Sequence, residues 1–205
     1  MLRPSPLPPG FIPPCLPTAC DRCKSGPDWV HEIKHDGYRL IARRNGDRVR
    51  LYTRRGYNWA DRYPRILEAL RSLRVRSIVI DGEAVWCGKD GKSDFDKLHS
   101  GGYDASVLLY AFDLIELDGE DLRPAPLEQR KGKLEKLLAR SEGIRFSEHI
   151  TGDGAIIFAH ACKLGLEGIV SKRRDLPYRS GRCKAWLKVK NPASAAVLRI
   201  QDGTW

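Results

Sequence analysis

The sequence predicts an α+β domain built on mainly antiparallel sheets flanked by helices. Strand-like segments dominate the front and centre of the chain, and helical segments intervene irregularly instead of alternating with single strands, which argues against a repeated βαβ unit. The chain has 205 residues, 41% hydrophobic and 30% charged, which is ordinary globular composition and long enough for one substantial core.

Residues 1–28 hold most of the 13 prolines and read as an extended arm laid over the surface or partly disordered. The domain proper is expected over residues 29–191, with a tail over 192–205. "VHEIKHDGYRLIARR" (30–44) reads as strand, with Lys34 in its middle. "YRLIARR", a turn at Asn45-Gly46-Asp47 and "RVRLYTR" make a hairpin, because Asn-Gly suits a tight connection. "YPRILEALRSL" spaces Ile66, Leu67, Leu70 and Leu73 at helical intervals. "SIVIDGEAVW" and "SVLLYAFDLIEL" are apolar and β-branched enough for central strands. "PLEQRKGKLEKLLAR" is a second helix, and "GAIIFAHACKLG" a third that closes on Gly165. "GIVSKR" and "WLKVKN" are two further short strands.

Lys and Arg number 36 against 26 Asp and Glu, a formal charge of +10 that attracts polyanions. The start lacks the continuous apolar stretch of a secretory signal, and no run approaches a membrane span, so a soluble intracellular protein without a membrane partner is expected. Cys15, Cys20 and Cys23 cluster in "CLPTACDRC", but Cys87, Cys162 and Cys183 stand alone and the five histidines form no paired motif. Reduced thiols are expected in preference to a zinc site.

Three features carry chemistry. A lysine entering a domain at the position of Lys34 loses hydration, and cationic neighbours favour its neutral, nucleophilic amine, while Gly37 leaves room for close approach to the backbone. In "WLKVKN", alternation places Lys188 and Lys190 on one face, about 7 Å apart, where their repulsion is relieved by an anion such as phosphate. Glu167 at the entry to "GIVSKR", with Lys172 at its end, and Glu83 within "VIDGEAVW" are carboxylates in apolar sequence that need partners: a salt bridge, a ribose hydroxyl or a divalent cation. Phe112 in "YAFDL" is core or the wall of a base-stacking pocket.

"EIKHDGYR", "VIDGEAV", "YAFDL", "EGIVSK" and "WLKVK" resemble, in order and spacing, the successive motifs of the covalent nucleotidyltransferases, which include ATP-dependent DNA ligases, RNA ligases and mRNA capping enzymes. Within that superfamily the chain looks most like the adenylation domain of the bacterial ligase D type of ATP-dependent DNA ligase, over Trp29 to Asn191. The resemblance implies the nucleotidyltransferase fold, ATP as co-substrate held as covalent AMP, Mg2+ or Mn2+, and nicked double-stranded DNA as partner. It also implies that Lys34 attacks the α-phosphate, that Glu32 lies near the adenine and Phe112 stacks on it, and that Arg39 and Glu83 contact the ribose. Arg54 would meet phosphate of ATP or of the nick, Lys172 would join the nucleotide site, Glu83 and Glu167 would place the metal, and Lys188 and Lys190 would bind the α-phosphate. Family ligases continue into an oligonucleotide-binding barrel, absent here, so sealing is expected to draw on a separate DNA-binding or end-joining protein. The expected location is the bacterial cytoplasm, at the nucleoid. An RNA ligase or capping-type transferase, or a non-catalytic DNA-binding module with the same fold, are the alternatives.

Overall fold

A computed structural model describes residues 7–203; the first six residues of the proline-rich segment and the last two of the tail lie outside the described residues. Two β-sheets face one another, and helices cover the far side of the larger sheet. The larger sheet runs β4 (Arg48–Thr53), β3 (Tyr38–Asn45), β5 (Ser77–Val85), β6 (Leu108–Leu117), β7 (Glu120–Asp121), with β8 (Ile144–Phe146) pairing parallel to β6. The smaller sheet runs β1 (Cys15–Ala19), β10 (Gly181–Lys190), β9 (Gly168–Arg173), β2 (Trp29–Ile33). All pairings are antiparallel except β1 with β10 and β6 with β8.

The central strands are apolar on both faces because both faces are covered. Leu40, Ala42, Ile78, Ile80 and Leu114 pack toward helix α1 (Pro64–Ser72) and helix α3 (Leu127–Leu138), whereas Ile41, Val79, Phe112 and Ile115 face Val30, Tyr178 and Trp186 beside the smaller sheet. The helix over 63–73 forms as its spacing predicts. Pro64 occupies its first turn, where a missing N–H needs no partner. Ile66 and Leu70 are fully buried, each worth about 2 kcal/mol. Arg44 Nη1 closes the C-terminal end by donating to the carbonyls of Leu70, Arg71 and Leu73 at 2.8, 2.9 and 2.7 Å. Helix α4 (Gly154–Lys163) starts on an Asp153 cap, packs against β9 and β2, and ends before Gly165 as expected. Its Ile156 is nevertheless exposed.

Several elements differ from the expectations. The presumed surface arm contributes β1, whose Cys15 is buried and whose Thr18 and Ala19 pair with Leu187 and Lys188. Lys34 does not sit within a strand: β2 stops at Ile33, and Lys34 opens the four-residue connection to β3. Helix α2 (Phe95–Ser100) and helix α5 (Ala195–Asp202) were not anticipated, and the latter gives the tail a fixed place, since Arg199 pairs with Asp36. The absent side chain of Gly37 makes room for the protein's own backbone rather than for a ligand, because a Cβ there would lie 2.2 Å from the Ala84 carbonyl oxygen of β5.

Candidate active site

The register of the smaller sheet assembles most of a cavity on one face. Val30 of β2 pairs with Lys172 of β9, which pairs with Trp186 of β10; Glu32 pairs with Val170, which pairs with Lys188. Paired residues share a face and alternate ones along a strand repeat it, so these rows stand side by side. The next row is Lys34, Gly168 and Lys190: the Lys34 N–H donates to the Gly168 carbonyl at 3.0 Å, and Gly168 pairs with Lys190. Gly168 has φ +145°, and a Cβ there would lie 2.1 Å from the Val189 carbonyl oxygen. The row therefore has no central side chain, and the two lysines reach over the gap.

Glu167 fills it. Its Oε2 accepts from Lys34 Nζ at 2.6 Å and its Oε1 lies 3.1 Å from Lys190 Nζ. The anion was expected between Lys188 and Lys190; the carboxylate in this structure is the protein's own and lies instead between Lys34 and Lys190. Lys188 is held below the usual lysine range by burial and by the neighbouring Lys34 and Lys190.

The larger sheet closes the cavity. Arg39 pairs with Glu83 across β3 and β5. Between β5 and β6 the register skips Phe112, since Asp81 pairs with Asp113 and Gly82 with Ala111, and such a bulge re-aims the side chain of the extra residue. Phe112 lines the cavity with the Arg39 guanidinium 4.3 Å and the Lys172 ammonium 4.3 Å from its ring centroid. Arg39 is fixed by Asp81, donating at 2.5 and 2.7 Å, and by the Cys15 carbonyl at 3.0 Å; Tyr178 donates to the same Asp81 at 2.6 Å. Glu83 has no hydrogen-bond or ion-pair partner among the described residues. Burial pushes its carboxyl up to about 7 against the pull of Lys34 and Arg39.

The resulting cleft between the sheets encloses about 200 Å³. Of the sequence-predicted residues, Glu32, Lys34, Arg39, Arg54, Glu83, Phe112, Lys172 and Lys188 all line it, while Glu167 and Lys190 lie just behind Lys34. The structure adds Arg182 and Trp186 of β10, Val170 of β9, Leu16 and Pro17 of β1, and His35. Arg182, six residues before Lys188, shares its face of the strand, a signal visible in "GRCKAWLKVK" once the whole segment is read as strand. His35 stacks on Tyr110 with centroids 4.1 Å apart, and burial pushes its imidazole down to about 4, so it is neutral near pH 7.

Among the described residues no three His, Cys, Asp or Glu side chains are grouped to hold a metal ion, and all six cysteines are free. Mg2+ asks for less, since it keeps several waters and is commonly bound by one or two carboxylates together with substrate phosphates. The unpartnered Glu83 and the nearby Glu167 suit that donor set. No helix among the described residues is long and apolar enough to cross a membrane.

A cleft between two sheets, floored by aromatic and aliphatic side chains at one end and crowded with lysines at the other, is the form of a nucleotide-transfer site. Residues 15–190 match the family model of the ATP dependent DNA ligase domain, and the chain belongs to that family. It is 40% identical over 187 residues to the multifunctional non-homologous end joining protein LigD of Pseudomonas aeruginosa, covering 89% of this chain and 22% of that protein. It is 33% identical over 197 residues to a DNA ligase of Thermococcus fumicolans, covering 88% of this chain and 35% of the relative. The chain thus spans between a fifth and about a third of the length of these relatives. The ligase domain of M. tuberculosis LigD superposes with a TM-score of 0.74 at 34% identity, over 86% of this chain and 60% of that one. A mycobacterial DNA ligase D complexed with ATP and MES gives a TM-score of 0.69 at 34% identity, over 85% and 60% of the two chains. The α+β expectation and the family resemblance are both borne out.

Proposed function

We propose that the cleft binds ATP and that Lys34 becomes covalently adenylated. The observation that carries this is the Lys34, Gly168, Lys190 row: the Lys34 amine opens onto the cavity, with the Glu167 carboxylate between it and Lys190 and with Lys188 and Lys172 also lining the cavity. Phe112 from one sheet and Val170 from the other bracket the base, with Glu32 at its edge; Arg39 and Glu83 meet the ribose; Arg54, Lys188 and Lys190 face the phosphates. The Lys34 amine, once neutral, attacks the α-phosphorus. A nitrogen–phosphorus bond forms as the bond from that phosphorus to the bridging oxygen breaks, and pyrophosphate leaves with the electron pair. Glu83 and Glu167 would hold Mg2+ or Mn2+, which would supply charge neutralisation on the phosphates. Lysines positioned before the reaction do the same for the charge that develops on the α-phosphate.

The lysyl-AMP then serves the 5′-phosphate of a DNA nick. Nicked double-stranded DNA fits the excess of basic side chains, and a separate DNA-binding or end-joining protein is the proposed partner, in keeping with the end-joining relatives. The adenylation unit on this reading runs from β1 through β10, in the bacterial cytoplasm where the chromosome lies.

Incubation with α-labelled ATP and Mg2+, followed by denaturing electrophoresis, tests the assignment. Label is expected to stay with the wild-type chain and to vanish in Lys34→Ala; equal labelling of the alanine variant sinks the assignment.

A further inference from the structure

At the end of the cavity away from Lys34 and Lys190, Glu32 is gripped by two lysines. Lys172 Nζ donates to Oε2 at 2.7 Å and lines the cavity. Lys131 Nζ donates to Oε1 at 2.8 Å and to the Ser147 carbonyl at 2.8 Å, but it does not line the cavity: it reaches Glu32 from behind, out of helix α3. The side chains of Lys131, Glu32 and Lys172 are 2%, 3% and 2% exposed, so the cluster is almost wholly buried. The neighbouring Arg130, bound to Asp113 at 2.7 and 2.8 Å, anchors the helix turn that delivers Lys131.

A buried ion cluster of this kind adds little to stability compared with apolar residues of similar volume. What two lysines do achieve is to keep Glu32 ionised: burial pushes its carboxyl up, and Lys131 and Lys172 together outweigh that and hold it below the usual value. Oε2 accepts from Lys172 and, at 3.4 Å, from the Ser147 hydroxyl, whereas Oε1 accepts from Lys131 with one of its two acceptor sites left, and Glu32 takes one of the three Lys172 donors, so each group retains capacity. They present an acceptor beside a donor. Adenine offers a donor at its 6-amino group and an acceptor at N1, whereas guanine offers an acceptor at O6 and a donor at N1.

We propose, on the reading that this cavity takes ATP, that Lys131 is a positioning residue for base recognition: by holding Glu32 charged and in place beside Lys172, it sets the preference for a 6-aminopurine. Lys131 touches neither nucleotide nor phosphate. Its loss therefore weakens base discrimination while leaving the chemical step at Lys34 intact.

The test compares equilibrium binding of ATP and GTP in the absence of divalent cation, followed by tryptophan fluorescence, since Trp186 lines the cavity. Wild type is expected to prefer ATP. Lys131→Met is expected to lose about 10-fold in ATP affinity, with the ATP to GTP ratio falling toward one, and Lys131→Arg is expected to restore most of it. The rate of lysyl-AMP formation at saturating ATP is expected to fall less than about 3-fold in the Met variant, a change in KM rather than kcat. A folded Met variant with an unchanged ratio, or with equal losses for both nucleotides, overturns the role of Lys131. Should the Met variant fail to fold, Lys131→Gln, which keeps a hydrogen-bonding but uncharged group against Glu32, takes its place; a ratio near one supports the proposal, and a wild-type ratio overturns it. A wild-type chain that binds neither nucleotide sinks the ATP reading of the cavity itself, an outcome distinct from either of these.

Discussion

Lys34 and Glu167 meet at 2.6 Å, and the second oxygen of the same carboxylate lies 3.1 Å from Lys190, so one buried acid neutralises two lysines that face each other across Gly168. The arrangement is self-complementary without a nucleotide. On the proposed reading, in which the Lys34 amine attacks, Glu167 would have to release it, and phosphates arriving at the same place would offer both lysines new partners.

Glu167→Gln preserves shape and removes the charge. Lysyl-AMP formation is expected to slow by about 100-fold, because a positioned charge at the reacting phosphate is lost. Stability is expected to fall by only about 1–2 kcal/mol, since the side chains of Lys34 and Lys190 are 21% and 31% exposed and can turn toward water. Single-turnover labelling and urea unfolding read the two effects separately; an unaltered labelling rate would contradict the role assigned to the acid.

Glu83 gives a pH signature. Its carboxyl is pushed up to about 7 from an ordinary 4.5, so the folded chain holds this proton over a range where the unfolded chain has released it. The group's contribution to stability is therefore full below about pH 4.5 and is lost as the pH rises through about 7. Glu83→Gln, which imitates the protonated form, is expected to match wild type in Tm at about pH 4 and to exceed it at about pH 8. Binding of Mg2+ with ATP, which favours the carboxylate, is expected to strengthen through pH 7 in wild type and to lose that step in the variant. Calorimetry across the pH range decides both; a step of equal size in the Gln variant would assign it to another group.

Arg199 of α5 pairs with Asp36, two residues from Lys34, while also lying 3.7 Å from Asp96 and with its guanidinium 4.7 Å from the Phe95 ring centroid. Arg199→Ala is expected to speed amide hydrogen exchange in α5 and also in residues 34–37, and Asp36→Asn is expected to reproduce both changes. Faster exchange confined to α5 would show that the helix does not restrain the lysine connection.

The sequence disclosed the parts of the site that depend on local pattern. Alternation placed Lys188 and Lys190 on one face, and the motif spacing brought Glu83 and Phe112 to the cleft that Lys34 lines, with Glu167 against Lys34 beside it. Pairings across the fold were not legible. Asp81 holding Arg39, and Lys131 holding Glu32 across 99 positions, arise from packing of elements whose relative placement no local pattern encodes. β1 was missed because prolines argue against strands, yet Pro17 is tolerated there since β1 is an edge strand and β10 lies on only one side of it. The end of β2 was misjudged because Lys34 extends the ladder by one hydrogen bond after the strand proper has stopped.

The parallel pairing of β1 with β10 joins residues far apart in the chain: the Thr18 hydroxyl donates to the Cys183 carbonyl, 165 positions away. Contacts of such long range are slow to form. During synthesis at about 5–20 residues per second, β1 and β2 wait on the order of ten seconds for the two strands that lie between them in the sheet. Until β9 and β10 emerge, Cys15 and Val30 face water with no sheet to join, so the half of the cleft that carries Lys34 is the last portion of the molecule to acquire its shape.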